Sequence, residues 1–216
     1  MPSFQCRVCG TSFNVGQGAL DKYPGWKPKY CRDCSPKKGR RQPTQPARPR
    51  AKGRVVEDLL TLEEVLRKYS GGPQSGVFTD GSCSPNPGPG GWGVVWVQDG
   101  QIVEQLHGRH PDTTNNRMEL EALIRGYDML PEDADCDVFT DSQLCVRTIN
   151  EWAAAWERNG WRRKGGAVKN LELVQELWAL AQAHPRVRLR WIASHSGELW
   201  NEYADALATA WMRDRL

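Results

Sequence analysis

No apolar run in this chain is long enough to cross a bilayer, which excludes a helical membrane protein. The first ten residues, MPSFQCRVCG, lack the apolar core of a secretory leader, so a cytoplasmic protein is expected. The glycine-rich segment Pro85–Gly93, PNPGPGGWG, is not followed by Gly-Lys-Ser/Thr, which argues against a nucleotide-binding phosphate loop. Acid is scarce at one end: residues 1–54 hold 2 Asp+Glu against 13 Lys+Arg, whereas the rest holds 24 against 16. The overall charge of +3 therefore hides a basic arm joined to an acidic body, a pattern suited to a polyanion at the arm and cations in the body. Residues 37–54 have no apolar period; 8 of the 18 are basic, and Pro43, Pro46 and Pro49 interrupt regular structure, so this stretch reads as a linker.

What is present begins with an echo. The tetrapeptide VFTD occurs at Val77–Asp80 and again at Val138–Asp141. Val, Phe and Thr favour strands, and alternation puts each aspartate on the same side as the phenylalanine two residues before it. Two such strands joined by a helical pattern should lie parallel with their tips together. Two carboxylates would then stand close, a costly arrangement unless a cation lies between them.

The surrounding pattern is mixed. Val55, Leu59, Leu62, Leu66 and Tyr69 predict a short amphipathic helix over 55–69, with Thr61 as a possible cap. Strands are predicted near 76–80, 92–98, 101–107, 137–141 and 187–192, with Asp99-Gly100 as a hairpin turn between the second and third. Helices are predicted near 116–130, in segments over 142–158, near 168–183 and from Trp200. An α/β fold follows: a five-stranded mixed sheet with helices on both faces, preceded by a small N-terminal module. The expected parts are residues 1–36, 37–74 and 75–216.

On the 116–130 helix, Glu119 shares a stripe with Ala122, Leu123 and Gly126 that should face the sheet. Glu121 and Arg125 form a surface pair. Asp205 borders the face of the last helix marked by Ala204, Ala208 and Trp211, and His195 sits in the loop SHSG before it. Taken singly, each has an ordinary explanation. Aspartate before Gly or Ser is turn chemistry, a helical Glu is surface, and a His beside Ser and Gly is loop. His107, His110 and His184 are assigned to structure or surface. The joint arrangement of strand-end aspartates with a sheet-facing glutamate is what points to a site.

Residues 75–216 resemble a type 1 ribonuclease H through FTDGSCSPNPGPGGWG, TTNNRMEL, FTDSQ and SHSGELWNEYADALA, in that order. The resemblance implies an endonuclease that cuts the RNA strand of an RNA–DNA hybrid. It assigns Asp80, Glu119, Asp141 and Asp205 to metal binding and His195 to proton transfer or product release. It places Asn86, Asn115, Asn116 and Gln143 against the RNA backbone. Oxygen ligands suit two Mg²⁺ ions, or Mn²⁺, roughly 3.5–4 Å apart. The Pro85–Gly93 glycines would either let backbone approach the hybrid's minor groove or form an ordinary loop. Trp152, Trp156 and Trp161 interleave with Arg158, Arg162, Arg163, Lys164 and Lys169, resembling the family's basic protrusion on the DNA strand. Trp152 and Trp156 also fit a core, whereas Trp161 and Arg162–Lys164 are expected to meet substrate.

Cys6-x2-Cys9 and Cys31-x2-Cys34 read as a four-thiolate site for one structural Zn²⁺, with iron or a redox pair as alternatives. Cys83, Cys136 and Cys145 are expected to be buried thiols. Tyr23, Trp26 and Tyr30 among Lys22, Lys27 and Lys29 suit a nucleic-acid surface, a mini-core or a protein-docking face. The expected protein is a monomer that binds hybrid, with further nucleic acid or a protein partner at the N-terminal module. The rival readings are a hybrid-binding protein without catalysis and a DNA nuclease of the same fold.

Overall fold

The structure, a computed structural model, describes residues 2–22, 27–31, 34, 59–163, 165–213 and 216. The expected linker, the start of the first helix, Tyr23, Trp26 and Lys164 lie outside them. The chain divides into two compact units, Met1–Arg54 and Val55–Leu216.

In the first unit, β1 (Ser3–Gln5) pairs antiparallel with β2 (Ser12–Asn14), and α1 (Gln17–Lys22) follows. The connection is a tight knuckle in which the Cys6 amide donates to Thr11 O at 3.0 Å and the Gly10 amide to Cys6 O at 2.9 Å. The Arg7 amide donates to Lys29 O at 2.9 Å, which brings the second cysteine pair beside the first. Phe4 and Phe13 face each other across the ladder, ring centroids 6.2 Å apart.

The second unit opens with α2 (Leu62–Lys68), whose Thr61–Glu64 capping box fixes its start. The stripe expected on this helix is partly wrong. Val65 is the buried residue, and Leu66 is 46% exposed, because the helix meets the body along its Leu62–Val65–Tyr69 side. Next come β3 (Gly76–Cys83), β4 (Gly88–Gln98) and β5 (Gln101–Thr113), all longer than expected, then α3 (Asn115–Asp128) and β6 (Asp137–Thr140). The 142–158 stretch resolves into α4 (Gln143–Arg147), a π-helical turn (Thr148–Trp152) and α5 (Ala153–Arg158). A small antiparallel hairpin follows, β7 (Arg162–Arg163) with β8 (Gly166–Ala167). The remaining elements are α6 (Leu171–Ala183), β9 (Arg188–Trp191), α7 (Leu199–Ala208) and a 3-10 turn at Ala210–Met212, which carries Trp211.

The main sheet runs in the order β5-β4-β3-β6-β9. The first three strands are antiparallel; β6 and β9 join parallel. Asp99 and Gly100, with φ of 49° and 74°, make the tight turn between β4 and β5. The two copies of VFTD pair in register, Val77 opposite Val138, Phe78 opposite Phe139 and Thr79 opposite Thr140. Alternation then divides the core. Val77 and Val138 pack with Leu123, Ile124, Tyr127 and Leu177 of α3 and α6; Phe78 and Phe139 pack with Val65, Tyr203 and Leu207 of α2 and α7. Full burial of each such side chain contributes about 1.5–3 kcal/mol.

The glycine-rich segment is mostly strand. Gly91 and Gly93 lie on β4 where α7 comes close, and a Cβ on Gly93 would sit 2.5 Å from Ala204 O. Glu121 and Arg125 do pair, at 2.7 Å, but the glutamate side chain is only 15% exposed, so the pair is half-buried rather than fully solvated. Cys145 is buried, whereas Cys83 and Cys136 are half-buried.

Candidate active site

The in-register strands end side by side, and that sets the site. Asp80 lies on β3 and Asp141 immediately follows β6. Gly81 then allows a third acid to approach, because a Cβ there would collide with the backbone of Met118 and Glu119. With only hydrogen in that position, the first turns of α3 rest on the strand and Glu119 points at the two aspartates. Carboxylate oxygens of Asp80, Glu119 and Asp141 all lie within 4.8 Å of one another. Asp205, on α7, stands close enough to Asp80 to raise its carboxyl.

Burial and mutual repulsion act together on these groups. Asp80 is 8% and Glu119 5% exposed. Burial, then the neighbouring Glu119, Asp205 and Asp141, pushes the Asp80 carboxyl well above its usual range. Burial and Asp141 do the same to Glu119, offset in part by hydrogen bonds from Asn115 and Thr140. Asp141 is raised by burial, with His195 acting the other way. Oε1 of Glu119 accepts from the Asn115 side chain at 3.3 Å, while its buried Oε2 has no hydrogen-bond partner. An orphaned carboxylate oxygen within a cluster of repelling acids fits a divalent cation held by hard oxygen ligands.

A second group adjoins the first: ligand atoms of His195, Glu202 and Asp205 also lie within 4.8 Å of one another. His195, exposed, occupies a left-handed conformation (φ 50°) in the loop before α7. Glu202 was missed from sequence. It is 7% exposed and accepts a hydrogen bond from the Gly197 amide at 3.2 Å. Its position three residues before Asp205 on one helix was the available signal.

The other expected contacts divide. Asn86 Oδ1 accepts from the Asn115 amide at 3.2 Å, which ties the β3–β4 loop to the start of α3. Asn116, on α3, and Gln143, on α4, are exposed. Trp161, expected to meet substrate, is half-buried and packs against the α3–α6 core. Arg162 and Arg163 are exposed on β7. Trp152 and Trp156 lie 5.7 Å apart, with Trp156 packed on the core. His107 and His110 are exposed, while His184 is buried and bonds Leu180 O at 2.9 Å through Nδ1.

A profile of the RNase H family matches residues 73–213. The chain belongs to that family of endoribonucleases. It is 47% identical over 133 residues to the ribonuclease H of Legionella pneumophila (strain Lens), covering 61% of this chain and 92% of that protein. It is also 47% identical over 140 residues to the ribonuclease H of Methylorubrum extorquens (strain PA1), covering 65% of this chain but 60% of that longer protein. Among solved structures, LC9-RNase H1, a type 1 RNase H with the type 2 active-site motif, is 33% identical with a TM-score of 0.54, covering 65% of this chain and 74% of that one. The N-terminal RNase H domain of rv2228c from Mycobacterium tuberculosis is 28% identical with a TM-score of 0.51, covering 64% and 94%. The RNase H match leaves the first unit outside it.

In that first unit, the sulfurs of Cys6, Cys9, Cys31 and Cys34 lie within 4.8 Å of one another. Those of Cys9 and Cys31 are 3.7 Å apart, close to the roughly 3.8 Å edge of a tetrahedron with metal–sulfur bonds near 2.3 Å. Backbone amides at Cys31 and Cys9 hold Cys6 down at about 6, whereas its neighbours, Cys9 first, push Cys34 up to about 12. Such crowding suits a thiophilic cation.

Proposed function

We propose that this RNase H cleaves the RNA strand of RNA–DNA hybrids with two divalent cations, Mg²⁺ or Mn²⁺, leaving 5′-phosphate and 3′-hydroxyl ends. The observation that carries the reading is the convergence of Asp80, Glu119 and Asp141 oxygens, with Asp205 beside them. When bound, the cations activate the attacking water and offset charge on the leaving oxygen. Asp80, Glu119, Asp141 and Asp205 hold and space them. His195, next to Asp205, moves a proton at the cut bond or helps the product leave. Asn86, Asn115, Asn116 and Gln143 orient the RNA backbone. Trp161, Arg162, Arg163 and Lys164 grip the DNA strand.

The four cysteines of the first unit hold one structural Zn²⁺, without which a module this small has too little core to fold. With the basic residues 37–54, the module tethers nucleic acid and raises the local concentration of substrate. The protein acts as a monomer in the cytoplasm; no helix among the described residues is long and apolar enough to cross a membrane.

The deciding experiment compares labelled hybrid, duplex RNA and duplex DNA in Mg²⁺ with full-length protein. Cleavage of only the RNA strand of the hybrid is expected, and its abolition in Asp141→Asn with hybrid binding kept. Absence of hybrid cleavage, or cleavage of duplex DNA, overturns the reading.

A further inference from the structure

Helix α2 precedes the segment matched by the family profile, which begins at residue 73, yet it borders the active site. A cleft of about 320 Å³ is lined on one side by Leu60, Val65, Lys68 and Tyr69, and on the other by His195, Glu202 and Asp205. That volume falls at the lower end of ligand clefts.

This added wall is fastened to the body. The Thr61–Glu64 capping box holds its start, and Val65, 1% exposed, anchors its middle among Phe78, Tyr203 and Leu207. The Arg213 guanidinium donates to Leu60 O. Beyond the helix, the Leu199 amide donates to Gly71 O at 2.9 Å, and Gly71 bridges to Glu198. The Tyr69 ring lies near Gly197, two residues from His195, where a Cβ on that glycine would stand 3.8 Å from it. Residues 59–72 therefore touch the catalytic loop at several points.

Lys68 ends α2 and is exposed, and its Nζ stands 5.0 Å from the centroid of the Tyr69 ring, a cation–π contact that steadies the ammonium. The opposite wall is acidic through Glu202 and Asp205. A phosphodiester strand presented to Asp205 must run past that acid, and a cation on the facing wall makes the passage favourable. An ammonium serves a phosphate as a point charge.

We propose that Lys68 binds a backbone phosphate of the hybrid beside the cut, and that residues 59–72 form an added wall of the active-site cleft. The proposal rests on the hybrid-cleaving reading above. The test uses full-length protein carrying Lys68→Gln or Lys68→Arg. Steady-state cleavage of a hybrid is measured first. Equilibrium binding of the same hybrid is then measured in Ca²⁺ over a salt series, with Asp141→Asn present to prevent turnover. Lys68→Gln is expected to raise KM several-fold and to reduce the slope of log affinity against log salt by about 0.7–0.9. Lys68→Arg should restore both. Unchanged KM and slope, an equal loss in Lys68→Arg, or a loss carried by kcat alone overturns the proposal. If the wild-type protein cuts no hybrid, the hydrolytic reading falls, and the binding series still decides the role of Lys68.

Discussion

The indole N–H of Trp191 donates to the carbonyl oxygen of Asp141 at 3.0 Å, although Trp191 is 48% exposed. The Gln143 amide donates to the same oxygen at 3.0 Å. Two donors on one carbonyl hold the peptide that follows β6 and hence the direction of the Asp141 side chain. Trp191→Phe keeps a ring but loses one donor. A net hydrogen bond contributes about 0.5–1.5 kcal/mol, so kcat should fall roughly 2- to 10-fold. Melting temperature should fall by about 1–6 °C. Hybrid cleavage rates and a thermal melt check both; unaltered kcat would remove Trp191 from the positioning of Asp141.

Gly81 is where α3 meets the sheet. Gly81→Ala adds a methyl group where the backbone of Met118 and Glu119 already lies. Overpacking of this kind costs about 1–3 kcal/mol, and the displaced helix would carry Glu119 away from the aspartates. Lower stability in urea, together with a higher Mg²⁺ concentration for half-maximal cleavage, is expected. A variant as stable and as active as wild type would show that this approach is not what places Glu119.

The raised carboxyls make the metal-free protein sensitive to pH. Asp80 and Glu119 hold protons more tightly when folded than when unfolded. Their burial is therefore tolerated at low pH, and stability falls as pH rises above the ordinary carboxylate value of about 4 toward their raised values. In EDTA, the melting temperature of the Val55–Leu216 transition should rise as pH is lowered from neutral toward 5. Asp80→Asn should flatten that dependence and stabilise the neutral metal-free protein. Each 1 kcal/mol relieved reads as about 2–4 °C. Millimolar Mg²⁺ should flatten it as well. Scanning calorimetry at several pH values measures all three.

Replacing one of the four clustered cysteines should affect the N-terminal unit by itself. If the proposed zinc site is right, Cys31→Ser lowers zinc content below one ion per chain and abolishes the order of residues 2–22 and 27–31, while the main sheet persists. Elemental analysis and amide hydrogen exchange provide the readouts. Full zinc retention would show that the cluster does not depend on this sulfur.

Arg162 and Arg163 are exposed on a two-residue hairpin held by a few backbone bonds. Changing both to Ala should weaken hybrid binding and lower its salt slope by about 1.4–1.8, with the melting temperature nearly constant. An unaltered salt slope would remove them from the DNA grip.

The VFTD repeat was legible because strand propensity, alternation and a helical crossover all act over short distances. They predicted a parallel pair, and the ladder joins Val77 to Val138 and Thr79 to Thr140. Glu119 was legible for a similar reason, since its stripe of Ala122, Leu123 and Gly126 marks the sheet-facing side of one helix. The paired CxxC knuckles showed themselves by spacing, and the four sulfurs do meet. The π-helical turn at Thr148–Trp152 and the β7–β8 hairpin carried no comparable local signal. The stripe on α2 was misjudged because Val65 and Leu66 are equally apolar, and only docking decides which of them is covered.

By itself, then, the amino-acid order determined the strand-ending acids, the face on which Glu119 sits, the basic arm and the cysteine pairs. Each of these follows from neighbours within about one helical turn or one strand. The tertiary structure alone decided that Glu202 joins His195 and Asp205, that Trp191 braces Asp141, and that α2 brings Lys68 to the cleft. Two of these relationships join residues far apart in the chain, and the third needs the loop before α7 to fold back on its helix; the geometry of all three exists only once the two sides of the sheet have packed.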